Sequence, residues 1–359
     1  MIDKATYELE WIHAVSQQLG KRGDPKIVEK VIHAFTLLEQ LKLSGLVFIF
    51  KGGTSLLLLS QQPRRFSIDI DIITSVKPEE MPAYLDKVVG MGSFSKWVDD
   101  NERKHVVDAP IGHYKFYYAS KIGSRFGEEP VLLDVLFIEN PYPKLIDAPI
   151  SHRWLKTTGD LSMVNIPAVE SIAGDKLTAF APTTTGILYD KDRPVEIIKQ
   201  LYDIAFLFDE SVDFTLLRES YINVANEEIK YRKLSITWEH SLDDAFQTAR
   251  IITERDVKNE RFMHLNKGIS NIINFILARF YIEEAIVCAA KVAYLTRVIR
   301  ANQSAVERFS HASQVQSLTI EHPQYGKFNK LKKSSPEAFF YWCQAVQNTG
   351  FNIEGPNDW

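Results

Sequence analysis

Cysteine and long apolar runs are both scarce in this sequence of 359 residues. Its two cysteines, Cys288 and Cys343, are too few for a disulfide framework and indicate ordinary buried thiols in a reducing compartment. The most apolar stretch, residues 268–300, is interrupted by charged side chains, whereas a membrane span needs about 18 consecutive apolar residues. The first twenty residues are acidic and lack an apolar core, so no signal peptide is expected. The sequence therefore predicts a cytoplasmic protein that does not enter a membrane.

The sequence also lacks a strong excess of either positive or negative charge. The 42 lysines and arginines are nearly balanced by 46 aspartates and glutamates, which gives a formal net charge of −4. This balance argues against a histone-like coat for nucleic acid, although a local basic groove remains compatible with it. Hydrophobic residues make up 45% of the chain, so a sizeable core and about two domains are expected.

Two kinds of pattern divide the chain. Residues 1–45 have helical spacing, and residues 46–165 contain short apolar runs typical of strands. Residues 166–359 are helical in pattern almost throughout. We therefore predict an α/β (α+β) fold with a mixed-sheet core at 46–165, N-terminal helices packed on that core and a helical C-terminal domain. Strands are predicted at 46–50, 66–73, 114–119 and 131–138, and helices at 54–59, 81–89, 193–208, 214–232, 241–256, 269–300 and 336–347, with one more beginning at Pro167.

Asp69 and Asp71 lie in the second predicted strand, where apolar and polar residues alternate. Side chains at positions i and i+2 of a strand project from the same face, about 6–7 Å apart. Two carboxylates held so close repel each other, and they suit a divalent cation that prefers oxygen ligands. The alternative is a pair of acids on a solvated strand face.

Two further features strengthen the first interpretation. Gly52, Gly53, Thr54 and Ser55 connect a predicted strand to a predicted helix, where backbone N–H groups can approach a phosphate. A third acid, Asp134, interrupts an otherwise apolar strand, and a carboxylate there is costly unless it is paired or metal-bound. The alternatives are an ordinary strand–helix turn and a structural ion pair from Asp134 to Arg64 or Arg65.

Two of these segments resemble the first two motifs of a known family. The segments 51–57 (KGGTSLL) and 65–71 (RFSIDID) resemble those of the AbiEii/AbiGii toxins, DNA polymerase β-like nucleotidyltransferases that act in toxin–antitoxin pairs. Segment 170–177 (ESIAGDKL) resembles the helix that carries the family's essential lysine, here Lys176. The segment 193–204 resembles the last motif, whose acidic residue would be Asp203, and the resemblance extends from about residue 45 to 208. The sequence departs from the family pattern at Gly174-Asp175, where Ala-Glu is expected, and at an insertion-like segment, 183–186 (TTTG).

The resemblance implies transfer of a nucleotidyl group from a nucleoside triphosphate (NTP), with release of pyrophosphate. It implies that Asp69 and Asp71 bind Mg²⁺ or Mn²⁺, and that Asp134 binds a second ion or accepts the acceptor's proton. The phosphates would be held by Lys176 and by the turn residues Gly52, Gly53, Thr54 and Ser55.

Two roles in this implied site are less direct. Ser67 is expected to orient the loop before the acids. Asp203 is expected to orient Lys176 or to contact the metal site, and its alternative is an ordinary ion pair on a helix.

Other residue clusters were weighed for binding. His105 and His113 lack the spacing of metal ligands, so no zinc site is predicted. Lys327, Lys330, Lys332 and Lys333 form a basic run that is a candidate RNA contact, together with Arg297 and Arg300 on a preceding helix; the alternative is a solvated basic loop.

Three functions follow from these observations. The first is a toxin that transfers nucleotide to RNA, with the 3′ end of tRNA as the expected acceptor and a cognate antitoxin protein as partner. The second keeps the chemistry but uses a small molecule, such as an aminoglycoside, or a protein side chain as acceptor. The third is a catalytically silent nucleotide-binding scaffold, which the intact acids and Lys176 disfavour.

Overall fold

The computed structural model describes residues 1–60, 64–103, 109–123 and 127–347, and the chain forms two compact units. The first unit comprises Met1–Ala168 and Ile273–Arg279, and the second comprises Val169–Ile272 and Phe280–Trp359. The N-terminal helices and the sheet therefore share one unit. A short segment from the helical half of the sequence belongs to that unit too.

The first unit is built on a mixed seven-stranded sheet of order β3-β4-β5-β2-β1-β7-β6. At its centre β2 pairs parallel with β5 on one side and antiparallel with β1 on the other. This arrangement confirms the predicted mixed sheet. The strands are β1 (Ile49–Lys51), β2 (Ile70–Ile73), β3 (Lys96–Asp99), β4 (Ile111–Ala119), β5 (Glu128–Leu136), β6 (Leu145–Pro149) and β7 (Met163–Pro167).

Helix α2 (Pro25–Leu43) packs against one face of this sheet. Its start follows from sequence, because the Asp24 side chain accepts a hydrogen bond from the Lys26 N–H and proline occupies the first helical position. Fully buried residues such as Phe35 join Ile72 of the sheet in one core. The other helices of this unit are α1 (Leu9–Gln18), α3 (Gly52–Leu59) and α4 (Met81–Gly90).

The two faces of the central strands differ in polarity. Ile70 and Ile72 of β2 are buried in the core, whereas Asp71 between them is half-buried on the opposite face. In β5 the same alternation buries Leu133 and leaves Asp134 half-buried. The expectation that Asp134 lies inside a wholly buried strand is therefore wrong, because only alternate residues of β5 face the core.

The second predicted strand is shorter than expected. It was predicted from residue 66, but β2 begins at Ile70 because the preceding backbone bonds elsewhere. The Phe66 N–H donates to the Phe275 carbonyl at 2.7 Å, and the Leu277 N–H donates to the Arg64 carbonyl at 2.9 Å. For the same reason the helix predicted at 269–300 is two helices, since residues 273–279 join the first unit. The predicted helix stop at Pro63 lies outside the described residues.

The second unit is helical in its described part. Its first helix begins at Val169, because Pro167 ends β7 instead of starting the helix. Along the described helices, no segment is both long and apolar enough to cross a bilayer. The helices are α5 (Val169–Ala179), α6 (Pro194–Glu210), α7 (Phe214–Tyr231), α8 (Trp238–Glu254), α9 (Glu260–Asn271), α10 (Ile282–Arg300), α11 (Leu331–Ser334) and α12 (Pro336–Gln347).

Both departures from the family pattern have packing reasons. A methyl group at Gly174 would lie 2.7 Å from the backbone nitrogen of Tyr221, so glycine permits the close approach of α5 and α7. The loop at 183–186 is held by Asp244, which accepts hydrogen bonds from the Thr183 N–H and the Thr184 hydroxyl. Gly174 and the 183–186 loop therefore both take part in the packing of the helical unit.

Candidate active site

Asp71 and Asp134 are register partners on the parallel strands β2 and β5. Partner residues on neighbouring strands, about 4.8 Å apart, project from the same face of the sheet. Both side chains are half-buried, and that of Asp134 is 31% exposed. The fold thus places two carboxylates from distant parts of the sequence side by side, where their mutual repulsion favours a bound cation.

The glycine turn lies directly beside this pair. Gly52 begins α3 with φ +79°, and a methyl group there would overlap Oδ2 of Asp71 and lie 2.8 Å from its Cγ. Only glycine combines this backbone conformation with so close an approach. The structure therefore brings together Gly52 and Asp71, both of which the sequence assigned to the site.

The side-chain hydroxyl groups of the turn donate hydrogen bonds to nearby backbone carbonyls. Thr54 Oγ1 donates to the carbonyl of Asp69 at 2.6 Å, and Ser55 Oγ donates to the carbonyl of Gly52 at 2.8 Å. Both side chains are fully buried. Thr54 thereby fixes the backbone of Asp69, which is half-buried just before β2.

Arg65 is the first of two side chains in this region that the sequence analysis left out of the site. It is 8% exposed, and its Nη1 donates to the Phe66 carbonyl. A methyl group at Gly53 would overlap Arg65 Nη2 and lie 2.7 Å from Ser67 Oγ. The guanidinium therefore lies against the turn, with Ser67 beside it. The sequence signal that could have indicated this role is that Arg65 directly precedes the segment with the two acids.

His113 is the second side chain beside the candidate site that was not assigned to it from the sequence. Its Nδ1 lies 2.7 Å from Oδ1 of Asp134, and the two residues are register partners on β4 and β5. From the sequence, His113 was a candidate only for a zinc site, because its place beside Asp134 depends on the pairing of β4 with β5. His105 lies outside the described residues.

Lys176 and Asp203 form a buried ion pair in the helical unit. Lys176 Nζ on α5 lies 2.7 Å from Asp203 Oδ2 on α6, and the two side chains are 7% and 4% exposed. Gln200 Oε1 lies 3.4 Å from the same Nζ. A direct contact between Asp203 and Lys176 is one of the two roles expected for Asp203 from the sequence.

The basic residues near the end of the described chain differ in their surroundings. Arg297 is 7% exposed and lies over the ring of Phe246, while Arg300 donates to the Glu239 carbonyl and to Asp243. Lys327 pairs with Glu254 at 3.0 Å, and Lys332 Nζ donates to two backbone carbonyls. Lys330 and Lys333 are exposed.

The residues present are chemically suited to a divalent cation. Mg²⁺ commonly takes only one or two protein carboxylates and completes its shell with water and substrate phosphates. Asp71 and Asp134 supply carboxylate oxygens at one place on the sheet, with Asp69 nearby in the chain. Within the described ranges, no three His, Cys, Asp or Glu side chains converge to form a complete metal cage. The acids are therefore a partial donor set that a substrate would complete.

Comparison with known proteins identifies the class. A family model described as "Nucleotidyl transferase AbiEii toxin, Type IV TA system" matches residues 36–267, which is more than half of the chain. Together with the mixed sheet and its acid pair, this match defines the protein as a nucleotidyltransferase. The chain belongs to the AbiEii family of nucleotidyltransferase toxins, whose type IV toxin–antitoxin systems include an antitoxin partner.

Two solved structures from Helicobacter pylori are among the structures to which this chain is similar. One, described as a "putative nucleotidyltransferase", has 16% sequence identity and a TM-score of 0.40, and the match covers 77% of this chain and 94% of that one. Another, JHP933, has 15% identity and a TM-score of 0.40, covering 76% of this chain and 90% of its own. No curated protein matches the chain.

Proposed function

We propose that this protein is a divalent-metal-dependent toxin that transfers a nucleotide from an NTP to the 3′ end of RNA, with tRNA as the acceptor. The single observation that supports this most strongly is the packing of the Asp71–Asp134 pair against the glycine turn at Gly52. That arrangement combines oxygen ligands for a cation with a backbone turn suited to phosphate. Family membership supplies the nucleotidyl-transfer chemistry.

In the proposed reaction the acceptor's hydroxyl oxygen attacks the α-phosphorus of the triphosphate. A new P–O bond forms, the bond to the β-phosphate breaks, and pyrophosphate leaves. Asp69, Asp71 and Asp134 would hold Mg²⁺ or Mn²⁺, which supplies charge neutralisation and a lowered hydroxyl pKa. Asp134 is the carboxylate to which we assign uptake of the hydroxyl proton, directly or through water.

Within the first unit, the groups assigned to the phosphates belong to the glycine turn. Because the Thr54 and Ser55 hydroxyls are engaged, we assign phosphate binding at the turn to the backbone N–H groups at the start of α3. Arg65 adds a fixed positive charge against Gly53. Lys176 is assigned to the triphosphate as a compact charge, and Asp203 orients it.

The acceptor is the part of the proposal that rests on family membership and on surface charge. The exposed Lys330 and Lys333 are suited to contact an RNA backbone in the cytoplasm, where we also place the antitoxin partner. A small-molecule acceptor such as an aminoglycoside would need no extended set of phosphate contacts.

One experiment tests the function directly. The purified protein is incubated with each α-labelled NTP in turn, Mg²⁺ or Mn²⁺, and total cellular RNA, and parallel reactions contain an aminoglycoside or a protein extract in place of RNA. We expect label to enter the tRNA fraction with one preferred NTP and only with added metal. Label on an aminoglycoside or on protein instead of RNA would contradict the RNA acceptor, and transfer without divalent metal would contradict the metal site.

A further inference from the structure

A row of polar residues crosses four strands on the face of the sheet opposite the core. In register order it consists of Lys51 on β1, Asp71 on β2, Asp134 on β5 and His113 on β4. Each residue is the direct partner of the next. His113 is thus fixed by the strand pairing at the end of the row, next to one of the two paired acids.

We propose that His113 is a positioning residue that orients the Asp134 carboxylate for cation binding. The inference rests on the proposed function, because it deepens the role assigned to Asp134. His113 Nδ1 lies 2.7 Å from Asp134 Oδ1. Because an ionised carboxylate only accepts, we assign the proton to Nδ1, which leaves Oδ2 as the oxygen for a cation. A hydrogen bond of this kind restricts the rotation of a carboxylate and so holds its other oxygen in place for a cation.

The backbone around His113 is held on both sides. Its N–H donates to Asn101 Oδ1 at 2.9 Å, and its carbonyl accepts from the Asp100 N–H at 2.8 Å. The residue has a regular place in the long pairing of β4 with β5. The imidazole is therefore presented to Asp134 by a rigid support, as positioning of a ligand requires.

A purely structural ion pair predicts different behaviour. The His113 and Asp134 side chains are 17% and 31% exposed, and partly exposed pairs contribute little to stability. Loss of His113 should therefore barely change the melting temperature. It should instead change the affinity for a cation, because support of a ligand is typically worth about 10–100-fold in metal affinity.

Lys115 provides a matched control. It lies two residues from His113 on the same strand and face, but its Nζ pairs with Asp100 at 2.7 Å. Methionine is similar in size to lysine but uncharged, so Lys115→Met removes the positive charge and leaves Asp134 unchanged. Loss of its positive charge would, if anything, strengthen cation binding.

The test measures Mn²⁺ binding by titration calorimetry and by electron paramagnetic resonance, without substrate. We expect His113→Ala to weaken Mn²⁺ binding about 10–100-fold with a melting temperature within about 2 °C of wild type. His113→Asn, whose amide N–H replaces the Nδ1–H, should bind Mn²⁺ within about threefold of wild type. Lys115→Met should bind at least as tightly as wild type.

Two outcomes overturn the positioning role: wild-type Mn²⁺ affinity in His113→Ala, or equal losses in the alanine and asparagine variants. Asp71→Asn separates this failure from failure of the proposed function. If Asp71→Asn binds Mn²⁺ as tightly as wild type, the metal site itself is wrong. If Asp71→Asn loses Mn²⁺ while His113→Ala keeps it, only the role of His113 is wrong.

Discussion

The carboxylate of Asp71 lies against the Cα of Gly52, so close that a methyl group at Gly52 would overlap Oδ2. The turn and the acid motif, which are separate in sequence, therefore form one structural unit. This contact makes Gly52 a sensitive position for the candidate site, and Gly45 offers a control. Both glycines have positive φ, but nothing lies within 4 Å of a methyl group at Gly45.

We expect Gly52→Ala and Gly45→Ala to differ in activity more than in stability. Each pays about 1–2 kcal/mol for a left-handed backbone, and Gly52→Ala also displaces Asp71. Nucleotidyl transfer should fall at least 100-fold in Gly52→Ala and remain near wild type in Gly45→Ala. Thermal unfolding and transfer kinetics measure the two effects. Equal activity in both variants would show that the Gly52–Asp71 contact is not functional.

The Lys176–Asp203 pair allows catalytic and structural roles to be separated. Lys176→Met removes the buried cation that contacts Asp203 Oδ2 and should cost about 3–5 kcal/mol of stability. The double variant Lys176→Met with Asp203→Leu removes both charges and should recover most of the lost stability. Because the lysine is assigned to the triphosphate, kcat/KM should still be about 10–100-fold below wild type. A stable double variant with wild-type kinetics would make the pair purely structural.

The exposed Lys330 and Lys333 test the RNA acceptor. Replacing both by serine should raise the KM for RNA and lower the slope of log affinity against log salt by about 1–2, because fewer counterions are released. Triphosphate KM should not change. The control replaces the exposed Lys230 and Lys258 by serine, which changes the net charge equally. Identical salt slopes in the two double variants would exclude this lysine pair as an RNA contact.

His33 gives the sheet-containing unit an acid sensitivity. Burial, aided by the charge of Lys121, lowers the pKa of His33 to about 3, from an ordinary value near 6.5. Below about pH 6.5, His33 is therefore protonated in the unfolded chain but remains neutral in the folded chain. Stability should fall as the pH drops from 6.5 toward 3, by up to about 1.4 kcal/mol per pH unit from this residue.

His33→Phe is the variant that checks this. The ring stacks on Tyr118 at 3.6 Å between centroids, an arrangement that phenylalanine can preserve. Melting temperatures between pH 7 and pH 4 should decline less steeply in His33→Phe than in wild type. His152, whose pKa burial lowers to about 4, supplies part of the remaining slope. Parallel declines in the two proteins would contradict the assignment.

Local patterns in the sequence predict the central strands and the mixed-sheet class, because alternation and glycine turns act over a few residues. Strand pairing is not local. The register that joins Asp71 to Asp134 and then to His113 links three separate segments, and no short-range signal contains it. The 273–279 segment forms backbone hydrogen bonds with the residues before the acid motif, and this contact could not be predicted for the same reason.

Two of the three missed strands have a physical explanation. β3 and β6 are the two edge strands of the sheet, whereas the third, β7, lies between β1 and β6. Edge strands carry charged residues and proline because they need not be buried on both sides, so they lack the apolar runs by which strands are recognised. β3 is largely exposed, and β6 ends at Pro149.

The most direct test of the account compares Asp71→Asn with Asp147→Asn, which removes an exposed carboxylate from β6 of the same sheet. Both variants should keep the wild-type circular dichroism spectrum. Single-turnover transfer from α-labelled NTP to RNA should fall well beyond 100-fold in Asp71→Asn, since even indirect support of a metal ligand is worth about 10–100-fold. Asp147→Asn should transfer at the wild-type rate. A folded Asp71→Asn variant with wild-type transfer would contradict the assignment of the Asp71–Asp134 pair as the catalytic metal site.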